Sequence, residues 1–153
     1  MKTILSLSLI LFISTCFTSC IKTVEVSTPA KNSISGSWYV IDAAYYDKYG
    51  WYSYNADLPG IFSFYNDGSA QYADNTGNMQ GYWYSNVITT GYYDRYGDYR
   101  VDSHKDFSVS VSGNGGYIDL VFDDISFAGN NQFIATYYDG KSVQRYTFTR
   151  YWS

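Results

Sequence analysis

From residue 34 onward the chain is poor in helix-forming residues and rich in tyrosine. All 19 Tyr and all four Trp lie after Ser37, and Glu25 is the only glutamate. Tyrosine is favoured in strands because its ring packs on a half-buried sheet surface while its hydroxyl stays in water. Gly, Asn, Asp and Ser, which favour turns, are abundant. This combination predicts an all-β domain.

Eight short segments of this region have the pattern of β-strands separated by turn residues. In 107–112 and in 117–123, apolar and polar residues alternate with the period of two that a half-buried strand requires. Asp67-Gly68, between two such segments, predicts a tight hairpin turn. The eight predicted strands are 36–45, 61–65, 69–73, 79–85, 107–112, 117–123, 133–138 and 145–151.

Antiparallel strands joined mostly by hairpins suit an eight-stranded up-and-down barrel, because closure leaves no unpaired edge. A two-sheet β-sandwich is the competing architecture, and periodicity alone does not separate the two. A chain of about 130 residues beyond the N-terminal segment can form one domain with a real core. We assign this domain to residues 34–153.

Two longer stretches, 46–59 and 87–105, interrupt the pattern, and we predict that they are irregular loops. They contain near-copies of one phrase, Tyr-Tyr-Asp-Lys-Tyr-Gly starting at Tyr45 and Tyr-Tyr-Asp-Arg-Tyr-Gly starting at Tyr92. In a meander barrel both loops could project from one end. Their flat rings, interspersed with Asp and Asn, would suit stacking on a sugar or contact with a protein.

The alternative is that these rings fold back over the barrel as buried hydrophobic surface. The candidate binding residues are Tyr49, Trp51, Tyr52, Tyr54, Tyr92, Tyr93, Tyr96 and Tyr99.

The first twenty residues predict export. Lys2 gives a positive start, residues 4–13 carry no charge, and small residues lie just before Cys20. This order is typical of a secretory signal peptide. The apolar run is shorter than the roughly 20 residues that span a bilayer comfortably, although an uncleaved anchor and a plain signal peptide stay as alternatives.

The segment that ends at Cys20 resembles a bacterial lipoprotein signal, in which this cysteine is lipidated and becomes the mature N-terminus. Ser19 is the small residue that such a signal has before its cysteine, whereas Thr15 before Cys16 fits less well. Phe17 replaces the usual leucine, and Cys16 therefore stays as the alternative site. The resemblance implies a signal peptide over 1–19 and a membrane contact through palmitate-type chains on Cys20.

Residues 20–33 then form a flexible tether between the lipid and the domain. Glu25 is the only acidic residue of this tether, so a periplasm-facing position on the outer membrane is favoured over the cell surface. Lipidation of Cys20 would leave the mature chain without a disulfide.

Gly36-Ser37-Trp38 at the first strand and Arg150 in the last strand resemble a pair found in the lipocalin-like barrels. In that family an arginine of the last strand lies over the indole of a Gly-x-Trp motif and closes the barrel floor. The resemblance covers about residues 34–152 and assigns this role to Trp38 and Arg150, with Arg145 as a possible substitute for the arginine. It also implies a small apolar or amphipathic ligand.

Catalytic and metal-binding patterns are weak. His104 is the only histidine and stands within 102–106, Asp-Ser-His-Lys-Asp. A catalytic triad brings its groups together from separate elements beside an oxyanion hole, so we interpret His104 as a solvated loop residue. Asp94, Asp98 and the pair Asp123-Asp124 lack calcium-loop spacing, and one histidine with a lipidated cysteine makes no zinc site.

The sequence predicts no cofactor, because it has no phosphate loop or dinucleotide fingerprint. The formal net charge of −4 and the lack of a basic run argue against nucleic acid as a partner. We therefore predict a non-enzymatic, lipid-anchored envelope lipoprotein with a lipocalin-like barrel that binds a small apolar or amphipathic ligand. The alternative is an inhibitor-like interaction module whose aromatic loops bind a glycan or an envelope protein.

Overall fold

The computed structural model describes residues 34–113 and 115–152. The predicted signal peptide, Cys20 with its alternative Cys16, and the tether lie outside these residues. The described residues form antiparallel β-structure, and the all-β prediction is confirmed. The strands are β1 (Gly36–Asp47), β2 (Gly50–Tyr54), β3 (Ile61–Phe64), β4 (Ser69–Asp74), β5 (Gly77–Tyr84), β6 (Val87–Tyr93), β7 (Tyr99–Lys105), β8 (Phe107–Gly113), β9 (Gly116–Phe122), β10 (Asp124–Phe127), β11 (Gln132–Tyr138) and β12 (Val143–Arg150).

All eight predicted strands are present, as β1, β3, β4, β5, β8, β9, β11 and β12, with ends that differ by one or two residues. They belong to one large sheet in the order β10-β11-β12-β1-β3-β4-β5-β8-β9, and β2 pairs with the free edge of β1. In the described part of the chain β9 and β10 stand at the two ends of this order, and no further ladder closes the sheet into a barrel.

The prediction of irregular loops is wrong for half of the stretch 46–59 and for most of the stretch 87–105. β1 continues to Asp47 and forms a hairpin with β2, which we call the β1–β2 hairpin. β6 and β7 pair along their whole length as a separate two-stranded sheet, which we call the β6–β7 arm. Neither stretch alternates between apolar and polar residues, because both of its faces carry exposed side chains.

The repeated phrase in these stretches is a turn. The Oδ1 atom of Asp47 accepts a hydrogen bond from the backbone N–H of Tyr49 at 2.8 Å, and Asp94 does the same for Tyr96 at 2.9 Å. Gly97 follows with φ of +84°, a backbone conformation that glycine adopts without a steric cost. The two near-copies of the phrase therefore form the same kind of structure, a tight hairpin turn that is held by an aspartate side chain.

Aromatic rings from distant strands of the large sheet meet in one core. Trp38, Phe62, Phe133 and Phe148 are fully buried. The ring centroid of Phe107 lies 5.4 to 6.4 Å from five other rings, those of Phe64, Phe133, Phe122, Phe148 and Trp83. Because these rings come from β3, β5, β8, β9, β11 and β12, the sheet must curve around them.

The antiparallel order gives the sheet two distinct ends. β1 starts and β12 finishes at one end, which we call the Trp38 end, and Trp38 is the register partner of Arg150 there. The turn of the β1–β2 hairpin lies at the other end, and the β6–β7 arm leaves from the Trp38 end, between the end of β5 and the start of β8. The expectation that both Tyr-rich segments project from one end is therefore wrong.

Candidate functional site

Trp38 and Arg150 lie against each other at the end of the core. The Arg150 Cζ atom is 4.2 Å from the centroid of the Trp38 indole. The indole N–H donates a hydrogen bond of 2.6 Å to the carbonyl oxygen of Ile34, and the ring meets Phe133 edge-on at 4.8 Å. A buried indole thus has its polar atom satisfied and one face covered by a cation.

The same guanidinium ties three parts of the chain together. Its Nη1 donates to the carbonyl oxygen of Ser35 at 3.1 Å, and its Nε donates to that of Asn130 at 3.2 Å. Arg150 therefore joins the start of β1, the β10–β11 connection and the end of β12. This arrangement stabilises the fold, because the Nε and Nη1 atoms of Arg150 donate their hydrogen bonds within the protein.

Arg145, the alternative partner of Trp38 in the sequence analysis, lies over a different indole. Its Cζ is 4.4 Å from the centroid of Trp51 on β2. The Trp51 ring also lies 5.2 Å from that of Tyr46. Trp51, Tyr46 and Arg145 are all exposed, so this cluster forms a surface on the β1–β2 hairpin.

The candidate binding residues of both hairpins are exposed. Their exposed fractions range from 39% for Tyr54 to 80% for Tyr96. The alternative that these rings fold back as a buried lid is therefore wrong. On the β6–β7 arm, Tyr93 and Tyr99 are register partners whose ring centroids are 5.3 Å apart, and Arg95 lies 5.7 Å from the ring of Tyr96.

Tyr54 differs from its neighbours because its hydroxyl meets another tyrosine. Its O–H donates a hydrogen bond of 3.0 Å to the hydroxyl of Tyr146. Burial raises the pKa of Tyr54 well above the ordinary tyrosine value, and the hydrogen bond and charge interaction with Tyr146 raise that pKa further. This pair joins β2 to β12 on the face opposite to the Trp51 cluster.

His104 lies on β7 opposite Ile88 and not in a loop, which corrects the sequence interpretation. Together with Asp123 and Asp124 it lines a surface pocket of about 380 Å³. Ser103 is its neighbour on the strand and therefore points to the other face, where its Oγ lies 3.3 Å from Thr89 Oγ1. The geometry does not assemble a serine–histidine pair.

Asp123 and Asp94, which the sequence analysis considered as metal ligands, are engaged in structural bonds. Asp123 Oδ2 accepts the backbone N–H of Tyr138 at 2.7 Å, and Asp94 Oδ2 accepts Arg100 Nε at 3.0 Å. The Tyr96 N–H and then Arg100 hold the pKa of Asp94 below its usual range. Over the part of the chain that the structure describes, no three His, Cys, Asp or Glu side chains converge as metal ligands.

A groove that the sequence analysis missed runs along the outer face of β4 and β5, beside Tyr65 in the turn that follows β3. It has a volume of about 460 Å³. Tyr65 and Tyr82 lie along it with Ser69, Gln71 and Gln80. No sequence motif marks any of these residues as part of a binding site. Only the register between β4 and β5 brings them together.

Among residues 34–113 and 115–152, no helix has the length and apolarity needed to cross a membrane. Comparisons of the chain with models of protein families, with curated proteins and with solved structures found no match. The resemblance to lipocalin-like lipoproteins therefore stays a prediction that depends on Cys20, Trp38 and Arg150.

Proposed function

We propose that the chain is a non-enzymatic, lipid-anchored binding module of the bacterial cell envelope, and that its ligand is a glycan bound by outward-facing aromatic side chains. The export signal and Cys20 supply the anchor in this proposal. Two acyl chains or more suffice for stable membrane attachment. The tether over 20–33 then limits how far the domain reaches from the membrane.

The scaffold of the proposed module is a closed eight-stranded barrel. β9 and β10, the two ends of the sheet order, are separated only by Asp123. The Cα atoms of Phe122 and Asp124 are therefore no more than about 7.6 Å apart. The N–H of Asp123 also donates to the carbonyl oxygen of Thr136 at 2.8 Å, which extends the β10–β11 ladder toward β9.

A sandwich would need two seams between its sheets. Within the described residues every neighbour in the order from β10 to β9 is joined by hydrogen bonds, so the break in the order lies at Asp123, which supports the barrel over the sandwich. Counting β9 and β10 as one bent strand gives eight strands, the number at which an interior is just wide enough to be filled by side chains or to hold one small ligand.

The filled interior argues against the small apolar ligand that the lipocalin resemblance implies. The stacked pair of Phe133 and Phe148, with centroids 4.5 Å apart, and the ring of Phe107 occupy the space between opposite strands. A ligand at this level of the barrel would have to displace them. Binding on the outer surface requires no such rearrangement.

The exposed hydrophobic side chains carry the proposal of a glycan. Of the 21 large hydrophobic side chains exposed within the described residues, only Ile41, Val101 and Val121 are aliphatic, and the other 18 are Tyr or Trp. Flat aromatic faces stack on the C–H faces of sugar rings, and phenolic hydroxyls bind sugar hydroxyls.

Sedimentation with the insoluble polysaccharide fraction of a bacterial envelope tests this function. We expect the full chain, purified in detergent, to pellet with the polysaccharide. A smaller fraction of the double variant Trp51→Ala/Tyr96→Ala should pellet, whereas Trp51→Phe/Tyr96→Phe, which keeps flat rings, should pellet like the wild type. Pelleting of the alanine variant that equals that of the wild type, or pelleting that persists after the polysaccharide is digested and so belongs to a protein, contradicts the proposal.

A further inference from the structure

We propose that the groove on the outer face of β4 and β5 is a binding site for a neutral, linear glycan. This inference rests on the proposed function, to which it adds the chemical class of the ligand and a place on the sheet distinct from both hairpins.

The register of β4 with β5 builds the groove. Gln71 pairs with Gln80, and Ser69 pairs with Tyr82. Strand alternation turns these side chains outward, since Ala70 and Trp83 are buried while Tyr82 is 77% exposed. Two amides therefore lie side by side, and the Tyr82 ring lies beside them.

Among the residues that the structure describes, those that line the groove carry no charged side chain. The side chain of Gln80 makes no hydrogen bond within the described residues, and Gln71 accepts only a long one, 3.4 Å, from the hydroxyl of Tyr65. Each amide offers two donors and one carbonyl acceptor. Paired donors and acceptors next to flat rings match the hydroxyls and the C–H faces of a sugar.

The same row of uncharged polar residues continues over the neighbouring strands. Ser63 pairs with Gln71 on one side, and Ser112 pairs with Gln80 on the other. Successive members of the row are thus separated by the strand spacing of about 4.8 Å. A row of evenly spaced hydroxyls and amides across four strands suits a linear chain of sugars that crosses the strands.

Charge favours a neutral sugar chain over an acidic one. The protein has a net charge of −4, and the Asp67 carboxylate borders the groove, where it accepts the Ser69 hydroxyl at 2.6 Å. None of the described residues that line the groove is a lysine or an arginine. An anionic polysaccharide would therefore be repelled from the site that binds a neutral one.

Calorimetric titration of the full chain in detergent with neutral hexasaccharides tests the site, and cellohexaose, maltohexaose and chitohexaose are suitable probes. We expect at least one to bind. Tyr82→Ala should weaken its binding about tenfold by removing a stacking surface, and Gln80→Ala should weaken it by roughly three- to tenfold. Tyr138→Ala removes an exposed tyrosine elsewhere on the sheet and should leave the affinity unchanged, and an oligogalacturonate should not bind.

The outcomes separate this inference from the proposed function. Binding lost in Trp51→Ala/Tyr96→Ala but kept in Tyr82→Ala and Gln80→Ala overturns the groove and leaves the glycan-binding function standing. The groove is also wrong if no neutral hexasaccharide binds while the chain still pellets with envelope polysaccharide. Absence of binding in both assays overturns both proposals. Circular dichroism of each variant shows whether it is folded, and Tyr82 and Gln80 are exposed enough for truncation to preserve the fold.

Discussion

Arg145 on β12 and Trp51 on β2 are in contact although β1 lies between their strands. The guanidinium carbon lies 4.4 Å from the centroid of the indole, and Arg145 reaches it past Ala44, its register partner on β1. Arg150, five residues further along β12, makes a similar contact with Trp38 at 4.2 Å. Because side chains alternate along a strand, the two arginines serve opposite faces of β12, one toward solvent and one toward the core.

We expect Arg150→Ala to destabilise the domain far more than Arg145→Ala does. A cation over a desolvated indole contributes about 2 kcal/mol, against roughly 0.5 to 1 kcal/mol at an exposed site. The Arg150 variant should therefore show a Tm lower by roughly 8 °C. Thermal unfolding followed by circular dichroism measures both values.

Arg150→Ala should leave glycan affinity largely unchanged, because Arg150 touches neither hairpin nor the groove. Equal melting temperatures for Arg150→Ala and the wild type would contradict the structural role of the Trp38–Arg150 pair. A matched control is Arg150→Lys, which keeps the charge but loses the fork that reaches Ser35 and Asn130, and which should have an intermediate Tm.

The strands that face the core could be predicted from the sequence, and those that bury neither face could not. In Phe107–Gly113 the residues Phe107, Val109 and Val111 are buried while the serines between them are not, so the period of two is visible. β6 and β7 form an arm with no core of its own. Because the arm has no buried face, its sequence does not alternate between apolar and polar residues, and the sequence pattern therefore predicts an irregular loop there.

The groove could not be predicted because its lining residues are spread over a stretch of the chain from Tyr65 to Tyr82. Their proximity depends on a register in which Gln71 faces Gln80. A slip of one residue would turn one of the two glutamines into the core. The sequence signals the hairpin through its turn residues but does not signal which outward side chains become neighbours.

Alkaline pH should destabilise the domain in part through Tyr54. Its pKa in the folded state is raised, first by burial and then by Tyr146, while the unfolded chain releases this proton near pH 10. Above about pH 10 the unfolded state therefore holds fewer protons, and the free energy of unfolding falls as the pH rises. The contribution is fully present below pH 10.

Urea unfolding at a series of pH values measures this effect. Tyr54→Phe has no phenol to ionise at this position, so it should lose less stability than the wild type between neutral pH and strongly alkaline pH. Tyr146→Phe, which removes the partner hydroxyl, should fall between the two. Parallel pH profiles for wild type and Tyr54→Phe would show that this phenol has an ordinary pKa.

Lipidation should depend on Cys20 and not on Cys16. Cells that express the wild-type chain and are supplied with radiolabelled palmitate should yield a labelled protein, because the acyl chains attach to the cysteine that becomes the N-terminus. Cys20→Ser should abolish the label, and Cys16→Ser, the matched control, should retain it. A label that persists in Cys20→Ser would indicate that Cys16 is the lipidated cysteine and that the tether begins there.

The proposed closure of the barrel makes a specific prediction for the backbone of Phe122. This residue pairs with Phe107 on β8, and continuing the register of β10 with β11 past Asp123 places it opposite Tyr138. In a closed barrel, nuclear Overhauser contacts should therefore join the Phe122 backbone to both Phe107 and Tyr138, whereas a strand that passes from one sheet of a sandwich to the other would show only the first.

The carboxylate of Asp123 holds this seam, because it accepts the N–H of Tyr138 at 2.7 Å. We expect Asp123→Ala to speed amide exchange at Tyr138 by about tenfold, the effect of losing one charge-assisted hydrogen bond. Asp119→Ala, which removes a carboxylate from the middle of β9, is the control and should leave that rate unchanged. Unchanged exchange at Tyr138 in Asp123→Ala, together with a missing contact between Phe122 and Tyr138, would favour the sandwich.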